Sequence, residues 1–149
     1  MSITQTLTNV FKQDCLDGAQ NLGTSGDTIK IALIKASPSG TYGAATTNYS
    51  DVTGNSDEAS GTGYSAGGQT LGSPAISIPS GSTTAIVDFA DEVFSTLTLS
   101  ADGAIMYNAS QSNKAIAVFN FGSTISATNG DFTVVFPTAD ASNAVIRIA

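Results

Sequence analysis

From Pro74 onward the chain is a rhythm of short apolar runs separated by turn-forming residues, and this pattern constrains the fold more than any other feature. AISI (75–78), TAIVDF (84–89), STLTL (95–99), AIMYN (104–108), AIAVFNF (115–121), FTVVF (132–136) and AVIRI (144–148) follow one another with Gly, Ser, Asn, Asp or Pro between nearly all of them. Runs of this length, rich in β-branched and aromatic residues, are strands, and a spacing of about 8–12 residues belongs to antiparallel architectures rather than to parallel sheets with crossover helices. The expected fold is therefore mostly β: an antiparallel sandwich or partly closed barrel, jelly-roll-like, forming one domain over residues 1–149. Asn129-Gly130 is the strongest turn signal, because a two-residue type I′ turn needs positive φ at both positions. It predicts a hairpin of 123–128 with 131–136.

Upstream, the pattern changes twice. Ser2 and Gln5 have the spacing of a capping box, and Leu7, Val10, Phe11, Cys15 and Ala19 recur at three- and four-residue intervals. An N-terminal amphipathic helix over about 3–19 is expected, with Gly18 or Gly23 ending it and Cys15 a small buried apolar residue on its inner face. Helical patterning is absent after residue 25. TIKIALIK (28–35) reads as a first strand with Ile29, Ile31 and Leu33 on its buried face. Residues 36–72 then form a long Gly/Ser/Thr-rich excursion. Two readings fit it: short irregular strands anchored by Tyr42, Tyr49, Val52, Tyr64 and Leu71, or a loop that orders against a partner. On the second reading, deleting 40–66 leaves a folded domain.

Composition excludes several kinds of chemistry. There is no histidine and only one cysteine in 149 residues, so Ser-His-Asp and Cys-His catalysis, histidine zinc sites and an internal disulfide are all ruled out. Paired-carboxylate hydrolysis needs two acids across a cleft, whereas Asp88, Asp91 and Glu92 crowd one strand end in DFADE. Asp51, Asp57 and Glu58 are hard-oxygen ligands of the kind calcium takes, but they follow no EF-hand pattern and read as exposed loop acids. The glycines of GTGYSAGGQTLG (61–72) lack the Lys-Ser/Thr of a phosphate loop and serve backbone conformation. No enzymatic activity and no cofactor is expected.

The net charge of −7, with Lys12, Lys30, Lys35, Lys114 and Arg147 scattered, argues against nucleic acid and anionic membrane as partners. No apolar run approaches the ~18–20 residues of a membrane span, and the N-terminus lacks a secretory signal. Only 11% of residues are charged. A neutral polar surface suits burial against neighbours, because hydroxyls and amides cost less to desolvate than ions. Phe119, Phe121, Phe132 and Phe136 alternate within their runs and belong to a core. The candidate contact residues are Tyr42, Tyr49 and Tyr64, which lie in an adaptable Gly/Ser setting, and Phe11 on the helix.

The segments FKQDCLDGAQNL, DTIKIALIKASP, EASGTGYSAGGQTL, AIVDFADEVF, GAIMYNASQSNKAIAVFNFG and FPTADASNAVIRIA resemble a family of small virion structural proteins of tailed bacteriophages. The similarity spans nearly the whole chain and carries no functional residue over. It implies membership of the particle, with assembly from the host cytoplasm. Within a particle, the small size, β-rich pattern, acidic charge and absence of a fibre-like repeat favour a capsid decoration or cement protein, an oligomer with three-fold preference, whose partners are the major capsid protein or other virion proteins. A tail, neck or baseplate component is the alternative and a carbohydrate-binding module the third.

Overall fold

The computed structural model describes residues 2–149, and it is mostly β with antiparallel sheets that do not close into a barrel. Its centre is β3 (Ile29–Lys35), which the alternating sequence forms as expected. Beside it runs β8 (Glu92–Asn108), then β9 (Lys114–Val134), then the two-residue β2 (Thr6–Leu7); on the other side of β3 lies β5 (Gln69–Thr70). The order β2-β9-β8-β3-β5 is antiparallel throughout. A second sheet, β10-β7-β6, is built from β6 (Ala75–Ser77), β7 (Ala85–Asp88) and β10 (Ile146–Ile148). A parallel pair joins β1 (Ser2–Ile3) to β4 (Thr41–Tyr42).

Both faces of β3 are buried, not one. Ile29, Ile31 and Leu33 enter a core with Phe94, Ile116, Phe132, Phe136, Val87 and Ile146, which the second sheet and the end of the β8–β9 ribbon cover. Ala32 and Ile34 enter a smaller core on the opposite face with Tyr42, Val52, Ile105, Tyr107 and Val118. The layer over that face comes from the 36–72 excursion, which the apolar residues on both sides of a central strand require.

The strands expected separately at 95–99 and 104–108 are one continuous β8, and those at 115–121 and 132–136 are one β9. The hairpin expected at Asn129-Gly130 does not form. Gly130 instead lies opposite Leu97 inside the β8–β9 ladder, and Asn129 takes φ +49° as an irregularity within a strand. The chain reverses at 109–113, where a 3₁₀ turn (Ala109–Gln111) is followed by left-handed Ser112 and Asn113. Register shifts between Phe94 and Leu97, Leu97 and Leu99, and Ala101 and Gly103 bend the ribbon, as bulges do. The bend is sharp enough that Phe121 and Phe132, far apart along one strand, have ring centroids 5.7 Å apart. Gly103 permits the close approach of β9, since a Cβ there would sit 2.3 Å from the Phe119 carbonyl oxygen.

The N-terminal helix is α1 (Asn9–Leu16), shorter than the 3–19 expected. Ser2–Ile3 and Thr6–Leu7 pair as short strands instead, a competition that β-branched Ile3 and Thr6 make favourable. Thr8, not Ser2, is the N-cap: its hydroxyl accepts from Phe11 N and donates to the Ala115 carbonyl. Cys15 is exposed rather than buried, and the buried residues of the helix are Phe11 and Asp14. Asp14 is held by Lys114 Nζ at 2.9 Å and Gln20 Nε2 at 3.1 Å. Helix also recurs after residue 25, as α2 (Ser50–Gly54) and the 3₁₀ turn. Neither is long enough to show a helical period.

Candidate functional site

The four candidate contact residues do not form one surface. Phe11 is 2% exposed and packs in the larger core, and Tyr42 is 1% exposed in the smaller one. Tyr49 and Tyr64 are half-buried, and both reach the same carboxylate: Tyr49 Oη donates to Glu58 Oε2 at 2.5 Å and Tyr64 Oη donates to Glu58 Oε1 at 3.0 Å. Tyr49 stacks on Tyr107 with centroids 4.6 Å apart, and Tyr64 stacks on Phe94. Of the two readings of the excursion, anchored short elements is the one observed: β4, α2 and β5 all lie within it, and Tyr42, Val52 and Leu71 are buried.

Two adjacent acids organise this layer, and neither is an exposed loop acid. Asp57 is fully buried and accepts from Ser39 N and Oγ, Gly40 N, Tyr42 Oη and Lys35 Nζ. Burial alone would raise its carboxyl, but the donors from Ser39, Tyr42, Gly40 and Lys35 outweigh it and hold the group far below the usual carboxylate range. Glu58 accepts from the two tyrosines and from Gly67 N at 2.6 Å. The phenols respond in the opposite sense. Desolvation, then the Asp57 hydrogen bond, pushes Tyr42 up to about 12, and desolvation with Glu58 nearby pushes Tyr107 up to about 12 and Tyr49 and Tyr64 higher still. The raised phenols keep their protons near neutral pH and donate them in hydrogen bonds to the two carboxylates, which ties the layer together.

The remaining acids also serve local structure. Asp51 accepts from Thr47 N and Oγ1 and from Asn48 N ahead of α2. Asp91 accepts from Phe136 N at 2.8 Å, and burial raises the Glu92 carboxyl. Among the described residues no three His, Cys, Asp or Glu side chains converge as a metal site, and no helix is long and apolar enough to cross a membrane. Gly63, Gly67 and Gly68 of the glycine-rich segment all have positive φ, the conformational need expected of them.

Several large aliphatic side chains lie open. Ile76, Ile78, Val93, Ile125, Val135 and Ile148 are exposed. A cleft of about 420 Å³ is lined by Phe121, Ile125, Phe132, Val134 and Val135 on the bent ribbon, and one of about 180 Å³ by Phe11, Leu22, Ile76, Val87, Ile146 and Ile148 between α1 and the second sheet. A third, of about 440 Å³, is hydroxyl-rich, with Ser2, Ser37, Asp102, Asn120, Ser123 and Thr124 on its walls. No signal of period or motif marks the first two clefts in the sequence, because strand alternation does not say which runs end at an edge. No protein family, no curated protein and no solved structure matches the chain.

Proposed function

We propose that this protein is a non-enzymatic structural component of a tailed-bacteriophage virion, a capsid decoration or cement protein that binds the assembled head lattice. The observation that carries the reading is the set of exposed aliphatic side chains on strands, Ile76, Val93, Ile125 and Ile148, in a chain poor in charge. Apolar patches on a stiff framework are what a protein uses when its work is contact with neighbouring subunits. The sequence resemblance to phage structural proteins supplies the setting.

Cementing follows from mass action. A protein that binds the assembled lattice and not free capsomers stabilises the lattice by RT ln(1 + [L]/Kd), and several contacts per oligomer multiply the effect through effective concentration. The tyrosine–carboxylate layer contributes stiffness rather than contact. Quantitative mass spectrometry of purified particles of the encoding phage tests the reading. A decoration protein is expected at copy numbers on the order of hundreds, one per repeated lattice site. A few to some dozens would move it to the tail or neck, and absence from the particle would overturn the virion reading.

A further inference from the structure

Among the described residues, no strand pairs with the outer side of β6, the end strand of the second sheet. β6 pairs with β7 along one edge only, and all three of its residues are exposed. The register places Ile76 beside Val87 and Val87 beside Ile146, and two residues further Ala85 lies beside Ile148. Because side chains alternate, these residues share one face, which Ile78 extends. The middle of that face is closed by the core, where Val87 and Ile146 are buried, but Ile76, Ile78 and Ile148 remain 56%, 65% and 60% exposed.

Sheet edges in soluble proteins are commonly guarded by charge. This one is not: residues 59–87 contain no Asp, Glu, Lys or Arg, in a chain whose net charge of −7 otherwise repels a second copy. Pro74 and Pro79 bracket the strand, and proline cannot donate to a ladder. Pairing is thereby confined to 75–78 and cannot spread into a continuous edge.

We propose that β6 is a homodimerisation edge, two copies pairing antiparallel through Ile76–Ile78 about a two-fold axis at Ser77. The occupant is a second copy because the segment is complementary to itself. In the register centred on Ser77, Ile76 of each copy faces Ile78 of the other on one face, and Ser77 faces Ser77 on the opposite face. A one-residue slip would set Ile76 against Ser77 and turn the two apolar faces to opposite sides, so the pleat selects the centred register. Two three-stranded sheets become one of six strands. The product is a dimer, in contrast to the three-fold oligomer that the phage resemblance favours. The contact is at the small end of specific interfaces, so it forms at high protein concentration. It does not rest on the virion reading, since it is a property of the purified chain.

Disulfide trapping tests it. Facing Cα atoms of an antiparallel pair are about 4.5–5.5 Å apart, within disulfide reach. In a Cys15→Ser background, which removes the exposed native thiol, Ser77→Cys oxidised with oxidised glutathione should give a covalent dimer on non-reducing electrophoresis. Ser142→Cys, also exposed but in the turn before β10, should give little. Adding Ile76→Lys and Ile78→Lys should abolish the Ser77→Cys link while the circular dichroism spectrum is retained, because both isoleucines are exposed. Sedimentation equilibrium of the unaltered chain from about 1 µM to about 1 mM should show the mass rising from one chain toward two. A Ser77→Cys link no faster than that of Ser142→Cys, a chain still monomeric at about 1 mM, or a species of three chains would each overturn the proposal.

Discussion

Asn108 shows how much one polar side chain can do at the end of a hairpin. It is fully buried; its Oδ1 accepts from Ser110 N and Gln111 N, and its Nδ2 donates to Gln20 Oε1 and Asp27 Oδ2. That is the whole hydrogen-bonding capacity of an amide, so Asn108→Ala uncaps the turn and strands two partners. A loss of about 2–3 kcal/mol is expected, read as a lower urea midpoint with an unchanged slope. Asp57 gives a prediction with a sign. Its carboxyl is depressed in the folded chain, so as pH falls the unfolded chain takes up the proton first. The stability it contributes is complete above its ordinary value of 3.8 and is lost as pH falls toward the folded value. The melting temperature should therefore drop as pH is lowered below about 4. Asp57→Asn should be less stable by about 2–4 kcal/mol at neutral pH and show a flatter acid limb in thermal melts.

At the scale of elements, the 36–72 segment is part of the body and not an appendage to it. Tyr42, Val52, Ala59 and Leu71 are core residues, and Gly68, at φ +68°, brings the chain so close to β3 that a Cβ would lie 1.9 Å from the Ile31 carbonyl oxygen. Gly68→Ala should cost at least about 2 kcal/mol by chemical denaturation, since both the backbone angle and the approach oppose it. Deleting 40–66, which the sequence alone suggests a folded domain would survive, removes Tyr42, Val52, Asp57, Glu58, Ala59 and Tyr64 together. The shortened chain is expected to lose its cooperative thermal transition; a sharp melt and native circular dichroism would contradict the packing described. The packing was hidden in the sequence for a physical reason. Hydrophobic period reports regular elements, as it does for 28–35, whereas Tyr42–Asp57 and Tyr49–Glu58 are aperiodic polar contacts within an irregular segment. Asn129-Gly130 misled in a related way, because positive φ serves a bulge inside a long ribbon as readily as it serves a turn.

For the whole molecule, the mostly β class was legible because alternation and turn residues are local, while the bending of β8–β9 and the edge position of β6 depend on what packs against them. The burial of Tyr42, and the half-burial of Tyr49 and Tyr64, are hidden on the same ground: a tyrosine among glycines and serines looks exposed until the carboxylate that holds it is located. One titration examines that layer as a unit. Tyr42, Tyr49, Tyr64 and Tyr107 are all the tyrosines of the chain, and there is no tryptophan to obscure them. Every one is raised above its ordinary value of 10.0, by burial first and then by Asp57 for Tyr42 and Glu58 for the other three. A phenol raised in the fold ionises first in the unfolded chain, so the stability it contributes is complete below 10 and is lost as pH rises toward about 12 and beyond. In denaturant the four should titrate together near pH 10. In the folded chain phenolate absorbance should stay low at that pH, then climb steeply at higher pH, together with loss of the β circular dichroism signal. If two or more tyrosines in the folded chain ionise near 10 with the β signal intact, those phenols face water, and the tyrosine–carboxylate layer does not close the second face of β3.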